Sequence, residues 1–194
     1  MEKEWYAYKA YVYDLDDTLY RETDYLYAGY ARIAEACTAD KMKQAEYTDY
    51  LCRSFVTEGR QGLFQRFQAQ YDVTLPIETM LSLLRTTECA LVLFPERKKE
   101  IAELLEHGKK IAIITNGNVI QQRQKVHNLR LQEFFPQIDV FYAAETESKP
   151  SPSVLISWIT KQGLEPTEVL VIGDSETDRE MAMRANTGWL NVKN

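Results

Sequence analysis

The chain has 194 residues, of which 45% are hydrophobic and 27% charged, as expected for one soluble globular domain or one domain with a modest insertion. Its net charge of −6 argues against binding a nucleic acid polymer, because contacts to phosphates require clustered lysine and arginine. No apolar run approaches the roughly 20 residues that cross a bilayer, and the N-terminus lacks the pattern of a secretory signal, so we expect no membrane partner.

The three cysteines predict neither a disulfide framework nor a zinc site. Cys37, Cys52 and Cys89 are an odd number, lie far apart and form no Cys-x-x-Cys pair. We therefore expect reduced thiols in a cytoplasmic protein. The expected assembly is a monomer or a weak homodimer.

The first predicted element is a short buried strand at residues 9–13, which is rich in aromatic and β-branched side chains. No convincing strand follows between residues 22 and 90. Apolar residues there recur at helical spacing, as in Leu63, Phe64 and Phe67. We predict four helices in this block, near residues 23–36, 39–57, 61–70 and 76–89.

Strands and helices alternate after Pro95. Because the strands are apolar throughout, the alternation predicts a parallel sheet with both faces covered by helices. The fold class is therefore α/β, with a core of residues 1–20 and 91–194 and an α-helical insertion at residues 21–90. The predicted elements are helices near 95–107, 118–128, 151–162 and 176–185, and strands at Lys110–Thr115, Asp139–Ala143 and Val169–Ile172.

Polar signatures follow three of the predicted strands. The carboxyl ends of parallel strands meet at one edge of a sheet, so these segments should converge, although each alone would suit an ordinary turn. Carboxylates brought this close repel one another unless they share a cation or a proton, and Mg²⁺ prefers such oxygen ligands. The segments are Asp14-Leu-Asp16-Asp17-Thr18, Thr115-Asn116-Gly117 and Gly173-Asp174-Ser-Glu-Thr-Asp178.

An aspartate in such a site can attack phosphorus and form an aspartyl-phosphate. The reaction needs a metal, a second acid/base and donors for the phosphoryl oxygens. Thr115 offers a hydroxyl and Asn116 a backbone N–H group. Lys149 alone would suit a solvated surface position, but the prolines at 150 and 152 stiffen its loop and would fix the direction of its ammonium group.

Together the segments resemble the four ordered motifs of the haloacid dehalogenase superfamily of phosphotransferases. The resemblance covers nearly the whole chain and implies a Rossmann-like parallel sheet core with a helical cap domain inserted after the first motif. Short segments around Ile114–Gly117 and Trp189–Asn191 are similar to the 5′-nucleotidase-like branch of that superfamily. The matching residues are Asp14, Asp16 and Thr18 in the first motif, Thr115 in the second, Lys149 in the third, and Gly173, Asp174 and Asp178 in the fourth.

The resemblance implies a role for each matching residue. Asp14 would be the nucleophile and a metal ligand, and Asp16 the general acid/base that also offers its backbone carbonyl to the metal. Asp174 would be the second carboxylate ligand, with Asp178 supporting the metal. Mg²⁺ is the expected cofactor. The expected phosphate-binding residues are Thr115, Asn116 and Lys149.

Asp16 distinguishes between reaction classes. Dehalogenases of this family lack an acid at its position, whereas a phosphate ester that leaves as an alkoxide needs a proton. We therefore expect a Mg²⁺-dependent phosphomonoester hydrolase that acts on a small phosphorylated metabolite, such as a nucleoside monophosphate or a sugar phosphate, through an aspartyl-phosphate. The alternatives are a phosphomutase of the same family and a non-catalytic domain that keeps the fold for binding or regulation.

Overall fold

The computed structural model describes residues 4–192 and places the strands in one parallel sheet with the order β3-β2-β1-β4-β5. The predicted α/β fold class is confirmed. All residues of β1 and β4 are buried, which explains why these strands are apolar at every position. The strands are β1 at Ala10–Tyr13, β2 at Lys110–Thr115, β3 at Asp139–Tyr142, β4 at Val169–Gly173 and β5 at Gly188–Asn191.

Contacts divide the chain into two compact units. The first consists of the described parts of Met1–Arg21 and Ala90–Asn194 and holds the sheet, and the second is Glu22–Cys89 and is helical. The helices of the second unit are α1 at Glu22–Cys37, α2 at Lys41–Glu58, α3 at Leu63–Tyr71 and α4 at Ile77–Arg85. Those of the first unit are α5 at Pro95–Glu106, α6 at Val119–Asn128, α7 at Leu131–Phe134, α8 at Ser153–Gln162 and α9 at Glu176–Arg184.

The helical unit has a small core of its own. The ring of Tyr30 packs against those of Phe55 and Phe64, and Gly29 lets α1 approach α4 closely. A Cβ atom at Gly29 would lie 2.3 Å from Leu84 Cδ1. Because these contacts bury apolar area inside the insertion, they stabilise it as a unit.

Helix α4 ends at Arg85, four residues before the end of the segment predicted at 76–89. The hydroxyls of Thr86 and Thr87 donate to the carbonyls one turn earlier, which favours termination of the helix. Arg32 on α1 also donates to the Leu83 and Thr86 carbonyl oxygens, at 3.0 and 2.6 Å. These donors satisfy carbonyl groups that a helix end leaves without partners.

The core of the sheet unit lies around Trp158, which is 2% exposed. Its indole Nε1 donates to Asp139 Oδ2 at 2.8 Å, so α8 is tied to the first residue of β3. Cys37, Cys52 and Cys89 are not joined in disulfides. Within residues 4–192, no helix combines the length and the apolar character needed to cross a bilayer.

Candidate active site

Three carboxylates meet where β1 and β4 end. Tyr13, the last residue of β1, pairs with Ile172, so β4 extends one residue further, and Asp14 follows one strand while Asp174 follows the other. Asp178 lies in the first turn of α9. One oxygen from each carboxylate lies within 4.8 Å of the others, and Asp14 and Asp178 are buried. The pairing of β1 with β4 therefore brings together Asp14 and Asp174, which are 160 positions apart in the sequence.

Lys149 supplies an ammonium group to this cluster. Its Nζ lies 2.5 Å from Asp14 Oδ1, 2.5 Å from Asp178 Oδ1 and 3.0 Å from the Ile114 carbonyl oxygen. The side chain is 3% exposed, so water screens these charges weakly. Lys149 thus contacts two of the three carboxylates directly.

The side chain of Asn116 holds the backbone of Lys149. Its Nδ2 donates to the Lys149 carbonyl oxygen at 3.0 Å, and its Oδ1 accepts from the Lys149 N–H group at 2.8 Å. The sequence directed attention to the Asn116 backbone N–H group and missed this side-chain role. The amide pair fixes the third motif to the end of β2.

Burial and neighbouring charges shift the pKa values of both Asp14 and Lys149. It raises the pKa of Asp14 to about 7, opposed by the positive charge of Lys149 and aided by the negative charges of Asp178 and Asp16. Burial works to lower the pKa of Lys149, but the charges of Asp14 and Asp178 outweigh it and raise that pKa. The ammonium group therefore stays charged, and the Asp14 carboxylate needs further positive charge to be fully ionised near neutral pH.

The carboxylate cluster fits a hard divalent cation. Asp14, Asp174 and Asp178 offer oxygen ligands only, the donor type that Mg²⁺ takes. Gly173 leaves room for one of them, because a Cβ atom there would lie 2.7 Å from Asp178 Oδ2. That oxygen also accepts from the N–H and hydroxyl groups of Ser175, at 3.2 and 2.5 Å. The Asp178 carboxylate is therefore fixed before any ion binds.

The carboxylate of Asp16 lies outside this cluster and contacts residues that the sequence did not single out. Lys125 Nζ lies 2.8 Å from both of its oxygens, and Gln122 Nε2 donates to Oδ2 at 2.9 Å. The Tyr20 hydroxyl donates to Oδ1 at 2.6 Å. The sequence did contain a signal for these contacts, since Gln122 and Lys125 are three residues apart and share one face of a helix that follows β2.

Thr115 and Thr18 place buried hydroxyls near the ends of the strands. Thr115 Oγ1 accepts from Gln122 Nε2 at 2.6 Å and is within 3.4 Å of the Asn116 carbonyl oxygen. Thr18 Oγ1 is buried and has no hydrogen-bond partner within the described residues. Asp17, between the motif residues, has a positive φ of 52°, which a short polar side chain tolerates, so it serves the turn.

Comparisons with known proteins identify phosphatases that are similar to this chain. The chain is 24% identical over 197 residues to a glyceraldehyde 3-phosphate phosphatase from Methanopyrus kandleri, covering 95% of this chain and 83% of that protein. It is 27% identical over 140 residues to the N-acylneuraminate-9-phosphatase of Homo sapiens, covering 70% of this chain and 53% of the human protein. The chain therefore spans about half the length of that relative.

Among solved structures, a candidate beta-phosphoglucomutase from Thermotoga maritima superposes with a TM-score of 0.70 at 19% identity. The superposition covers 96% of this chain and 87% of the other, and at this identity it shows the fold alone. Residues 11–192 match the family described as haloacid dehalogenase-like hydrolase. With that match across nearly the whole chain and the motif residues gathered at one edge of the sheet, the chain belongs to the haloacid dehalogenase-like hydrolases.

Proposed function

We propose that the protein is a Mg²⁺-dependent phosphomonoester hydrolase that forms an aspartyl-phosphate at Asp14. One observation carries the proposal: Asp14 lies buried beside Asp174 and Asp178 and 2.5 Å from the Lys149 ammonium. A nucleophile, a set of oxygen ligands and a cationic donor thus occupy one place. A turn or a folding core needs none of these buried charges, which are costly to desolvate.

The first chemical step transfers the phosphoryl group to the protein. Lys149, Thr115 and the Asn116 backbone N–H group bind the phosphoryl oxygens, and a carboxylate oxygen of Asp14 attacks phosphorus. The bond between phosphorus and the ester oxygen breaks as Asp16 gives its proton to the leaving oxygen. The products of this step are the alcohol and an acyl phosphate on Asp14.

The second step releases inorganic phosphate. Asp16, now a carboxylate, takes a proton from a water molecule that attacks the phosphorus of the acyl phosphate. The bond between phosphorus and the Asp14 oxygen breaks, which returns Asp14 and Asp16 to their starting forms. Held by Asp14, Asp174, Asp178 and the backbone carbonyl of Asp16, Mg²⁺ would supply positive charge that balances the carboxylates and the phosphoryl oxygens.

The proposed substrate is a small phosphorylated metabolite. The two relatives described above are named as phosphatases of glyceraldehyde 3-phosphate and of an N-acylneuraminate 9-phosphate, which supports sugar-like phosphates as the first choice. Nucleoside monophosphates belong in the same test. We propose that the helical unit Glu22–Cys89 is a cap that sets specificity. We also propose a reducing, cytoplasmic location, which the three cysteines outside disulfides support.

The test is a broad panel of phosphomonoesters assayed for phosphate release, with Mg²⁺ and with EDTA. The expected result is release from sugar-like phosphates with Mg²⁺ and none with EDTA or with Asp14→Asn. The exposed Asp49→Asn is the matched control and should behave as the wild type. No release from any ester would favour a non-catalytic binding domain, and an isomerised phosphate ester without free phosphate would favour a phosphomutase.

A further inference from the structure

A second buried lysine lies close to the site and has no part in the proposed chemistry. Lys125 on α6 is 1% exposed, and its Nζ contacts both oxygens of Asp16. Gln122, one turn earlier on the same helix, is 2% exposed and links Asp16 Oδ2 to Thr115 Oγ1. Tyr20 donates to Asp16 Oδ1. We call Lys125, Gln122 and Tyr20 the Asp16 clamp.

The clamp holds the carboxylate on both sides. An ionised carboxyl group has about four lone-pair sites. Asp16 Oδ1 accepts from Tyr20 and Lys125, and Oδ2 accepts from Lys125 and Gln122. Since each oxygen has two donors at 2.6–2.9 Å, rotation of the carboxylate would break several hydrogen bonds at once. The orientation of Asp16 is therefore set by α6.

Helix α6 is itself fixed to the end of β2. Asn118 caps the helix through its side chain, which accepts from the Gln121 N–H group at 3.2 Å. Gln122 contacts Thr115, the last residue of that strand. The helix thus connects the first and second motifs through side chains. It forms a rigid base for Asp16, a group that must exchange a proton with a defined atom.

Stability alone does not account for Lys125. Burying an ammonium group is costly, and replacing a buried ion pair by apolar residues of similar volume is often neutral or stabilising. A methionine at this position would fill the space without desolvating a charge. The lysine is better explained by what it does to the Asp16 carboxyl group.

We propose that Lys125 is a positioning residue for phosphoryl transfer, which acts through Asp16 by holding its ionised carboxylate in one orientation. The proposal rests on the proposed function and deepens it. When water attacks the phosphorus of the acyl phosphate in the second step, a proton of that water must reach the Asp16 carboxylate. Its transfer rate depends on an orientation that Lys125 and Gln122 maintain.

The test compares the two chemical steps with p-nitrophenyl phosphate and Mg²⁺, where the burst of nitrophenol reports the first step and the turnover after the burst reports the second. Lys125→Met is expected to slow the turnover after the burst by about 10²-fold, the lower range for general acid–base catalysis. The burst of nitrophenol from p-nitrophenyl phosphate should fall by less than about threefold, because this leaving group needs little protonation. Lys161→Met, an exposed change on α8, should leave both rates as in the wild type. Equal losses in both steps would overturn the proposal.

A double variant provides a second test and guards against misfolding. Asp16→Asn combined with Lys125→Met leaves no unpaired charge between these two positions, so the comparison survives if Lys125→Met alone does not fold. If Lys125 acts through Asp16, the double variant should be as slow as Asp16→Asn alone, within about threefold. Losses that multiply would show an independent role and overturn the proposal.

A crystal structure of Lys125→Met separates this proposal from the proposed function. The clamp predicts that the Asp16 carboxylate turns away from its wild-type position, and an unchanged side chain would contradict it. If the wild type hydrolyses no phosphate ester while Asp16 turns in the variant, the proposed function fails and the clamp stands.

Discussion

Replacing Asp14 by asparagine should make the metal-free protein more stable at neutral and higher pH. The substitution keeps the shape of the side chain but removes a charge that the fold disfavours. Burial raises the pKa of Asp14 from its ordinary 3.8 to about 7, despite the attraction of Lys149. A group that costs stability in this way is expected at an active site, where function and stability compete.

The pKa sets the size and the sign of the effect. Between about pH 4 and pH 7 the unfolded chain has released the Asp14 proton while the folded protein retains it, so the free energy of unfolding falls as pH rises. This shift of the Asp14 pKa corresponds to a loss of about 4 kcal/mol in the free energy of unfolding. Above about pH 7 the Asp14→Asn protein should therefore be more stable than the wild type by up to about 4 kcal/mol, and near pH 4 the two should be equal.

Urea unfolding in EDTA, at several pH values, measures this difference. Asp49→Asn, an exposed carboxylate on α2, is the control and should stay within about 0.5 kcal/mol of the wild type. Adding Mg²⁺ should narrow the difference, because the ion stabilises the wild type by about 2.7 kcal/mol at 100 times its Kd and binds the variant less well. If Asp14→Asn were no more stable than the wild type at about pH 8 in EDTA, the attraction of Lys149 would outweigh burial, and the reasoning would fail.

Three further substitutions test the site. Lys149→Met removes the cation shared by two buried carboxylates and should cost about 3–5 kcal/mol of unfolding free energy in EDTA, by urea unfolding; a change below about 1 kcal/mol would contradict the ion pairs. Asp16→Asn should slow alkyl ester cleavage by roughly 10²–10⁴-fold but the aryl burst much less, in single turnovers; equal losses would remove Asp16 from the acid role. Gly173→Ala places a Cβ atom within 3 Å of the Asp178 carboxylate and should weaken Mg²⁺ binding by about tenfold or more in calorimetry, whereas an unchanged Kd would show that Asp178 is not needed for the ion.

The sequence predicted the sheet well because its strands are buried on both faces. A continuous apolar run such as Lys110–Thr115 has few other uses in a chain of alternating helices and strands, and β2 has those bounds. The errors of the sequence-based prediction lie at the ends of helices and strands, because local capping contacts determine the residue at which an element ends. Leu131–Phe134 was missed as a helix because four residues are too few to show a helical period.

The sequence predicted which strand ends gather but missed the contacts that cross between elements. Asp14, Asp174 and Asp178 could be placed together because parallel strands end at one edge. Lys125 and Gln122 lie 109 and 106 residues from Asp16 in the chain, so their pairing depends on how α6 packs. A lysine in a polar helical stretch suits a solvated face, and only the structure shows this one to be buried.

The central claim is that Asp14 becomes phosphorylated, and chemical trapping tests it most directly. The Asp16→Asn variant, mixed with p-nitrophenyl phosphate and Mg²⁺, should form the acyl phosphate and hydrolyse it slowly, because the aryl group leaves without an acid while water attack lacks its base. Quenching in acid and reducing with borohydride converts an acyl phosphate on aspartate to homoserine. Peptide mass spectrometry should then find homoserine at position 14, and only when both ester and Mg²⁺ are present. Nitrophenol release with no homoserine at position 14, or with the modification at another carboxylate, would contradict the account.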